Sequence, residues 1–112
     1  MESSALLRHA RISPRKVRLV ADLVRGRDVS EAVELLKFTR KKSAPILGRL
    51  IESAVSNAKE KMSSIDEDRL YIKTILVDGG ATLRRWTPRA HGRATRIRKR
   101  TSHIRVVLDE RE

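Results

Sequence analysis

The sequence predicts an α+β fold, in which three helices pack on a small antiparallel sheet and a long β-hairpin protrudes from it. Apolar residues recur at helical spacing in the first half of the chain, and β-branched residues alternate with polar ones in two later stretches. A strongly basic segment, poor in apolar residues, lies between those two stretches. Because 112 residues is the usual size of one domain, we expect residues 1–112 to form a single domain.

A first helix is predicted at residues 14–25. Ser13 suits the N-cap position, Pro14 suits the first helical position, and Gly26 suits the position after the last turn. Four apolar residues share one face of this helix and are expected to be buried. They are Val17, Val20, Ala21 and Val24.

Two further helices are predicted before the first long strand. Asp28 and Glu31 resemble a capping box, so a short second helix is expected to begin there and to end near Phe38. Its apolar stripe contains Ala32, Leu35 and Leu36. Ser43 suits the cap of a third helix, which reaches about Lys61. The buried face of the third helix is predicted to contain Leu47, Leu50, Ile51, Ala54 and Ala58.

Three stretches are candidates for the strands of the sheet. Residues 70–77 form a β-branched run of strand length, and a second strand is predicted from about residue 96 to residue 108. Residues 5–12 are a weaker candidate, because basic side chains interrupt the apolar ones. One face of the first of these strands is predicted to hold Leu70, Ile72, Thr74 and Leu76.

Positive charge is concentrated in the last third of the chain. The formal net charge is +12 and the pI is about 11.2, which is typical of a protein that binds nucleic acid. Residues 79–108 contain nine basic residues and no acidic ones. Like charges at this density repel one another in the free protein, so the segment predicts a partner whose phosphates neutralise them. We therefore expect the partner to be RNA or DNA.

Residues 79–95 are predicted to form an extended β-hairpin arm. They contain too few apolar side chains for a core of their own, so they are expected to continue the flanking strands away from the globule. At roughly 3.3 Å per residue, eight residues on each side of the hairpin would project about 25 Å. The tip is expected near residues 88–92, where Pro88 suits a turn and Gly92 tolerates positive φ.

A second basic cluster surrounds the start of the first helix. Arg15 and Lys16 lie in the first helical turn, where the helix dipole disfavours cations, so helix stability does not explain them. Contact with phosphates does explain them. For residues 40–42 the question stays open, since cations at the end of the second helix are favourable anyway. The cluster at the first helix contains Arg8, Arg11, Arg15, Lys16 and Arg18.

The composition excludes several other classes of function. With no cysteine, the chain has no disulfide, thiol nucleophile or cysteine-based zinc site, which fits a reducing cytoplasm. No apolar stretch is long enough to span a membrane, and three aromatic residues are too few for a stacking platform. His9, His91 and His103 match no ligand or acid–base spacing. We therefore expect no catalytic site, metal or cofactor, and assign the histidines to hydrogen bonds with phosphate or ribose.

Three motifs in the chain are distinctive in sequence and in order. They are RISPRKVRLV at residues 11–20, PRAHGR at residues 88–93 and KRTSHI at residues 99–104. Together, and with nine residues between Arg93 and His103, they resemble the bacterial family of large-subunit ribosomal proteins numbered twenty-two. The resemblance covers nearly the whole chain. It implies three helices on a three-stranded antiparallel sheet with a long hairpin.

The same resemblance implies a structural component of the large ribosomal subunit in the cytoplasm. Such a protein would bind 23S-type ribosomal RNA, aid subunit assembly and line the polypeptide exit tunnel with its hairpin tip. The implied partners are large-subunit ribosomal RNA, neighbouring large-subunit proteins and, near the tip, the nascent peptide and macrolide antibiotics. The expected RNA-binding residues are Arg8, Arg11, Ser13, Arg15, Lys16, Arg18, Arg84, Arg85, Arg89, His91, Arg93, Arg96, Arg98, Lys99, Arg100, Thr101, Ser102 and His103. The expected tunnel-lining tip contains Leu83, Arg84, Arg85, Trp86, Pro88, Arg89, Ala90, His91 and Gly92.

Two hypotheses from other classes are less consistent with the sequence. A DNA-binding regulator with a helix-turn-helix would need base-reading side chains on a recognition helix, whereas the excess charge lies in the arm. An RNA-processing enzyme would need a pair of carboxylates or histidines at a workable spacing. A salt-dependent footprint on ribosomal RNA without cleavage would separate the three hypotheses.

Overall fold

A computed structural model of the chain describes residues 2–80 and 100–111 with their side chains, and the backbone of residues 83–88 and 94–99. The helices are α1 (Pro14–Val24), α2 (Val29–Phe38) and α3 (Ser43–Lys61), and a single 3-10 turn spans Glu67–Arg69. The strands are β1 (Ser3–Ala10), β2 (Leu70–Gly79), β3 (Leu83–Pro88), β4 (Ala94–Lys99) and β5 (Ser102–Glu110).

Antiparallel pairing produces two sheets. β1, β5 and β2 form a three-stranded sheet in that order, and β3 pairs with β4 in a separate two-stranded hairpin. The predicted fold class is confirmed. The radius of gyration is 17.2 Å, whereas a compact domain of this length has roughly 13 Å. A hairpin that lies outside the three-stranded sheet accounts for this difference.

The prediction of one continuous strand from residue 96 to residue 108 is wrong. β4 ends at Lys99, and β5 begins at Ser102. The last pair of the larger sheet is Gly79 with Ser102, and the first pair of the hairpin is Leu83 with Lys99. Three residues of one chain segment and two of the other lie between these pairs. Unequal lengths of this kind interrupt an antiparallel ladder, so the hairpin is a separate sheet.

The predicted apolar faces of the helices form one side of the core. All four predicted residues of α1 and all five of α3 are buried, as are Ala32 and Leu36 of α2, while Leu35 is half-buried. α1 also ends as predicted. Gly26 follows it with φ of 76°, a left-handed conformation that glycine adopts without strain, and its N–H donates to the Ile72 carbonyl at 3.0 Å.

The predicted alternation along β2 is correct at its start and wrong further on. Leu70 and Ile72 are buried as expected, but the next buried residues are Ile75 and Val77, while Leu76 is exposed. The pairing of β2 with β5 shifts between Ile72 and residue 74. An extra residue at this bulge reverses which side chains face the core, because side chains alternate with period two along a strand.

The helix starts were correctly located, although the predicted caps do not form. Ser13 occupies the N-cap of α1 without a side-chain cap bond, and the same holds for Asp28 before α2. The Asp28 carboxylate instead accepts a hydrogen bond from Arg111, at 2.6 Å. Ser43 is the first residue of α3 and is buried, so Lys42 takes the N-cap position. At Asp28, a long-range ion pair replaces the local cap.

Two arginines, one within α1 and one directly after its last residue, cover the free edge of β2. Arg18 donates to the Val77 carbonyl at 2.8 Å, and Arg25 donates to the Ile75 carbonyl at 2.6 Å. These bonds satisfy backbone acceptors that would otherwise be available to another strand. Nothing in the local sequence indicates this role, since it depends on how α1 packs beside β2.

The opposite edge of the sheet, on β1, is covered by α3. Asn57 donates to the Ser4 carbonyl at 2.8 Å, and Lys61 donates to the Glu2 carbonyl at 3.1 Å. The helices therefore cover both edges of the three-stranded sheet, which protects it from pairing with other chains. Among the described helices, none is long and apolar enough to cross a membrane.

Candidate nucleic-acid interface

One end of the three-stranded sheet carries exposed cations without carboxylate partners. We call it the open end: β1 finishes there, β5 begins there, and the hairpin strands follow. α1 starts at the same end, since a Cβ on Gly79 would lie 4.0 Å from Cγ of Pro14. The open end has five exposed cations, and none of them pairs with a carboxylate in the part of the chain that the structure describes. They are Arg8, Arg11, Arg15, Lys16 and Arg100.

The first turn of α1 concentrates positive potential at the open end. It contains Arg15 and Lys16 and no acidic residue. The unpaired N–H groups of the turn carry the positive end of the helix dipole, and Ser13 offers them no side-chain acceptor. Cations and dipole therefore add rather than cancel. This arrangement is unfavourable for the isolated helix and favourable once an anion lies beside it.

At the other end of the sheet, which we call the paired end, the charged side chains form salt bridges with one another. Nζ of Lys73 lies 3.2 Å from Oε1 of Glu2 and 3.8 Å from Oδ2 of Asp109. Nε of Arg111 lies 2.6 Å from Oδ1 of Asp28. The residues of the paired end are Glu2, Asp28, Arg69, Lys73, Asp109, Glu110 and Arg111.

Pairing shifts two pKa values at the paired end in the directions expected of stabilised charges. A hydrogen bond and charge attraction from Glu2 raise the pKa of Lys73. The backbone N–H of Glu110, which donates to Oδ1 of Asp109 at 2.8 Å, holds the pKa of the Asp109 carboxyl below its usual range. Both shifts favour the charged forms.

Three residues predicted to bind RNA have structural partners instead. The Ser102 hydroxyl is fully buried and donates to the Ile12 carbonyl at 2.5 Å. Thr101 is also buried, and its carbonyl accepts the backbone N–H of Gly80 at 2.9 Å. Arg18 is exposed but uses Nη2 on the edge of β2. We therefore remove Thr101 and Ser102 from the expected RNA-facing set and assign Arg18 first to the sheet edge.

Two of the predicted histidines come together at the open end. The backbone N–H of His9 donates to Nδ1 of His103 at 3.1 Å, and the two rings lie edge to face with centroids 4.7 Å apart. His9 also adopts φ of 58°, a conformation uncommon outside glycine. A separation of 94 residues hides this contact from sequence reasoning.

The backbone pairing of β3 with β4 sets which residues of the hairpin stand opposite one another. Arg84 pairs with Arg98, Trp86 with Arg96, and Leu83 with Lys99 in the backbone ladder. The predicted site residues Arg89, Ala90, His91, Gly92 and Arg93 lie outside the described residues, and four of them belong to the nine residues of the predicted tunnel-lining tip. Within the described residues, no group of histidine, aspartate and glutamate side chains could hold a metal ion.

Together, these features define a class of protein: a small α+β domain with a basic hairpin and a cluster of unpaired cations at one end. Comparison with known proteins gives the family. Residues 5–109 match the family model described as ribosomal protein L22p/L17e. Among curated relatives, proteins named large ribosomal subunit protein uL22 are 56% identical in Citrifermentans bemidjiense and 54% identical in Geobacter sulfurreducens, each over 100% of both chains. The one from Syntrophotalea carbinolica is 56% identical over 99% of this chain.

The chain belongs to the ribosomal protein L22p/L17e family. It is thus a bacterial large-subunit ribosomal protein of the cytoplasm, with a structural role and no enzymatic one. The family resemblance inferred from the three motifs is confirmed. The hypotheses of a DNA-binding regulator and of an RNA-processing enzyme are not supported.

Proposed function

We propose that this protein binds large-subunit ribosomal RNA through its open end, aids assembly of the subunit and lines the polypeptide exit tunnel with its hairpin tip. The observation that carries the proposal is the segregation of charge. Cations at the open end have no protein partner in the described structure, whereas those at the paired end do. Unpaired, clustered cations on a ribosomal protein are best explained by RNA phosphates.

The backbone register of the hairpin supports the same proposal. Arg84 stands directly opposite Arg98, and like charges at directly opposed positions destabilise an isolated two-stranded ribbon. Phosphates on either side of the hairpin would remove this repulsion. The proposed RNA-facing set therefore contains the open-end cations, the basic residues of the arm and His103.

The RNA-binding part is tested by removing equal charge from the open end and from salt bridges at or near the paired end. The double variant Arg15→Ala/Lys16→Ala is compared with a matched control double variant, Arg69→Ala/Lys59→Ala. In the wild type, Arg69 pairs with Glu110 and Lys59 pairs with Glu67. Affinity for purified large-subunit ribosomal RNA is measured from 50 to 200 mM salt. The open-end variant should make the negative slope of log affinity against log salt shallower by about 1 to 2, and the control should leave the slope unchanged. Equal slopes for the two variants would contradict the proposal.

The tunnel part is tested by shortening the arm. Deletion of residues 83–85 should leave incorporation into subunits intact, because the broad basic face of the open end can engage more phosphates than a two-stranded tip can. It should alter macrolide susceptibility or the response to stalling peptides, since shortening one side of a hairpin displaces every residue beyond it. Loss of incorporation, with the globule still folded, would show that the arm is required for assembly instead.

A further inference from the structure

The pairing of β1 with β5 contains a bulge at the open end. Leu7 pairs with Ile104 and Ala10 pairs with Ser102, so two residues of β1 face only His103 of β5. One of the two, His9, has the left-handed φ of 58°. Bulges and strained backbone conformations persist where surrounding contacts hold them, and both are frequent at functional sites.

Contacts with His103 hold the bulge in this conformation. Nδ1 of His103 accepts the backbone N–H of His9 at 3.1 Å, and the two rings pack edge to face at an interplanar angle of 80°. A neutral imidazole has one donor and one acceptor nitrogen. Because Nδ1 is the acceptor here, the proton of neutral His103 resides on Nε2.

The Nε2–H donor of His103 has no acceptor among the described residues. His103 is half-buried, and Nε2 is not among the fully buried side-chain atoms of the described residues. Asp78, the cross-strand partner of His103, is exposed and makes no hydrogen bond with the ring. Gly80 keeps the space beside this nitrogen open, because a Cβ there would lie 3.2 Å from Nε2.

Three exposed cations lie close to His103 in sequence or in strand register. Arg8 belongs to the same bulge, Arg11 follows the end of β1, and Arg100 precedes β5 by two residues. An acceptor attracted to such surroundings is anionic or strongly polar, as the backbone of RNA is.

We propose that His103 is a hydrogen-bond donor of fixed tautomer, whose Nε2–H binds a backbone oxygen of RNA, from a phosphate or a ribose, at the base of the arm. This inference rests on the RNA-binding function proposed above. The alternative is that His103 only holds the bulge through Nδ1. The two roles use different ring nitrogens and can be separated by substitution.

Two variants of the full-length protein separate the roles. In His103→Asn, Oδ1 takes the place of Nδ1 and can accept the His9 N–H, but nothing replaces Nε2. In His103→Gln, an amide N–H₂ takes the place of Nε2, but the acceptor for His9 is lost. Thermal unfolding reports the bulge, and affinity for purified large-subunit ribosomal RNA reports the donor.

For His103→Asn we expect a nearly unchanged unfolding midpoint and an RNA affinity about 3- to 10-fold lower, as for the loss of one hydrogen bond. For His103→Gln we expect a lower unfolding midpoint and nearly unchanged RNA affinity at a temperature where it is folded. Wild-type affinity of the Asn variant would overturn the proposal, as would equal loss in both variants.

Failure of this inference is distinguishable from failure of the proposed function. If the wild-type protein bound this RNA without salt dependence, the proposed function would fail. If its binding were salt-dependent and His103→Asn bound equally well, only the role of His103 would fail.

The oxygen can be identified by interference mapping. RNA with random 2′-deoxy substitutions or random methylphosphonates is bound to wild-type protein and to His103→Asn. A position that interferes with the wild type but not with the variant marks the ribose or phosphate oxygen, and either supports the proposal. Identical interference patterns for the two proteins in both RNA pools would overturn it.

Discussion

The open end and the paired end of this molecule use the same residue types for different purposes. At the paired end, Lys73, Arg69 and Arg111 lie within 4 Å of carboxylates, so their charge is neutralised within the fold. At the open end, Arg15 and Lys16 stand beside a helix dipole of the same sign with no carboxylate partner in the described structure. Net charge alone does not reveal this division. Pairing identifies which cations maintain the fold and which are available to a partner.

The largest effect that this comparison predicts follows from charge reversal. Arg15→Glu with Lys16→Glu at the open end should lower affinity for large-subunit ribosomal RNA by about 100-fold or more at 100 mM salt, because two attractive phosphate contacts become repulsive. Incorporation into subunits should fall with it. The thermal unfolding midpoint should stay the same or rise, since acidic residues suit the start of a helix.

The matched control is Arg69→Glu with Lys59→Glu, which reverses the same amount of charge near the paired end. These residues face Glu110 and Glu67, so reversal should lower stability modestly while RNA affinity changes much less. Binding losses of equal size for both variants would mean that the charge of the whole protein, rather than its open end, governs RNA binding.

Local sequence patterns predicted the elements of this fold better than they predicted its contacts. The buried faces of α1 and α3 follow from helical periodicity, and the charge of the arm follows from composition. The phase of β2 could not be predicted beyond Ile72, because a bulge depends on the partner strand. The break at residues 100–101 depends on two segments of unequal length, which periodicity within one segment cannot show.

For the site, the sequence identified cations but not their environments. Ser102 belongs to a basic motif and was expected to contact RNA, yet it is buried. Arg18 belongs to the same basic cluster as Arg15, but its guanidinium donates to the Val77 carbonyl at the edge of β2. The contact of His9 with His103 joins residues at opposite ends of the chain. Each of these outcomes is set by tertiary packing.

The next largest effect concerns stability at the open end. Ser102→Ala removes the donor to the Ile12 carbonyl in a fully buried position, so the free energy of unfolding should fall by about 1–3 kcal/mol. Urea denaturation would measure it, with the exposed Ser30→Ala as control. RNA affinity of the folded variant should be unchanged. A reduced affinity with unchanged stability would restore Ser102 to the RNA-facing set.

A smaller effect is expected from Arg111 at the paired end. Its guanidinium bonds the Asp28 carboxylate and the Gly26 carbonyl, and it lies 4.5 Å from the centre of the Tyr71 ring. Arg111→Ala should therefore lower the free energy of unfolding by about 1 kcal/mol, since these partners are largely exposed. A double-mutant cycle with Asp28→Ala would measure the coupling. RNA affinity should not change, and a change would break the division between the two ends.

The smallest effect is the pH dependence of the paired end. The pKa of Asp109 is lowered in the folded protein, so this carboxyl binds fewer protons in the folded state than in the unfolded chain. Its contribution to stability is present above the unfolded pKa, about 4, and is lost as the pH falls through the lower folded value. The pKa of Lys73 is raised, so its contribution is present below about pH 10 and is lost as the pH rises through the folded value.

Between these limits the paired end should contribute a constant stability. Urea midpoints of the wild type and of Asp109→Asn, measured from pH 3 to pH 8, should differ most at neutral pH and approach each other as the pH falls toward the folded pKa of Asp109. Lys73→Met should differ from the wild type at neutral pH and converge with it only in strong base. A difference between the wild type and Asp109→Asn that persisted in acid would show that the Asp109 side chain stabilises the fold in its protonated form as well, independently of its charge. The charge-based distinction between the two ends would then rest on the other pairs, those of Arg69 and Arg111.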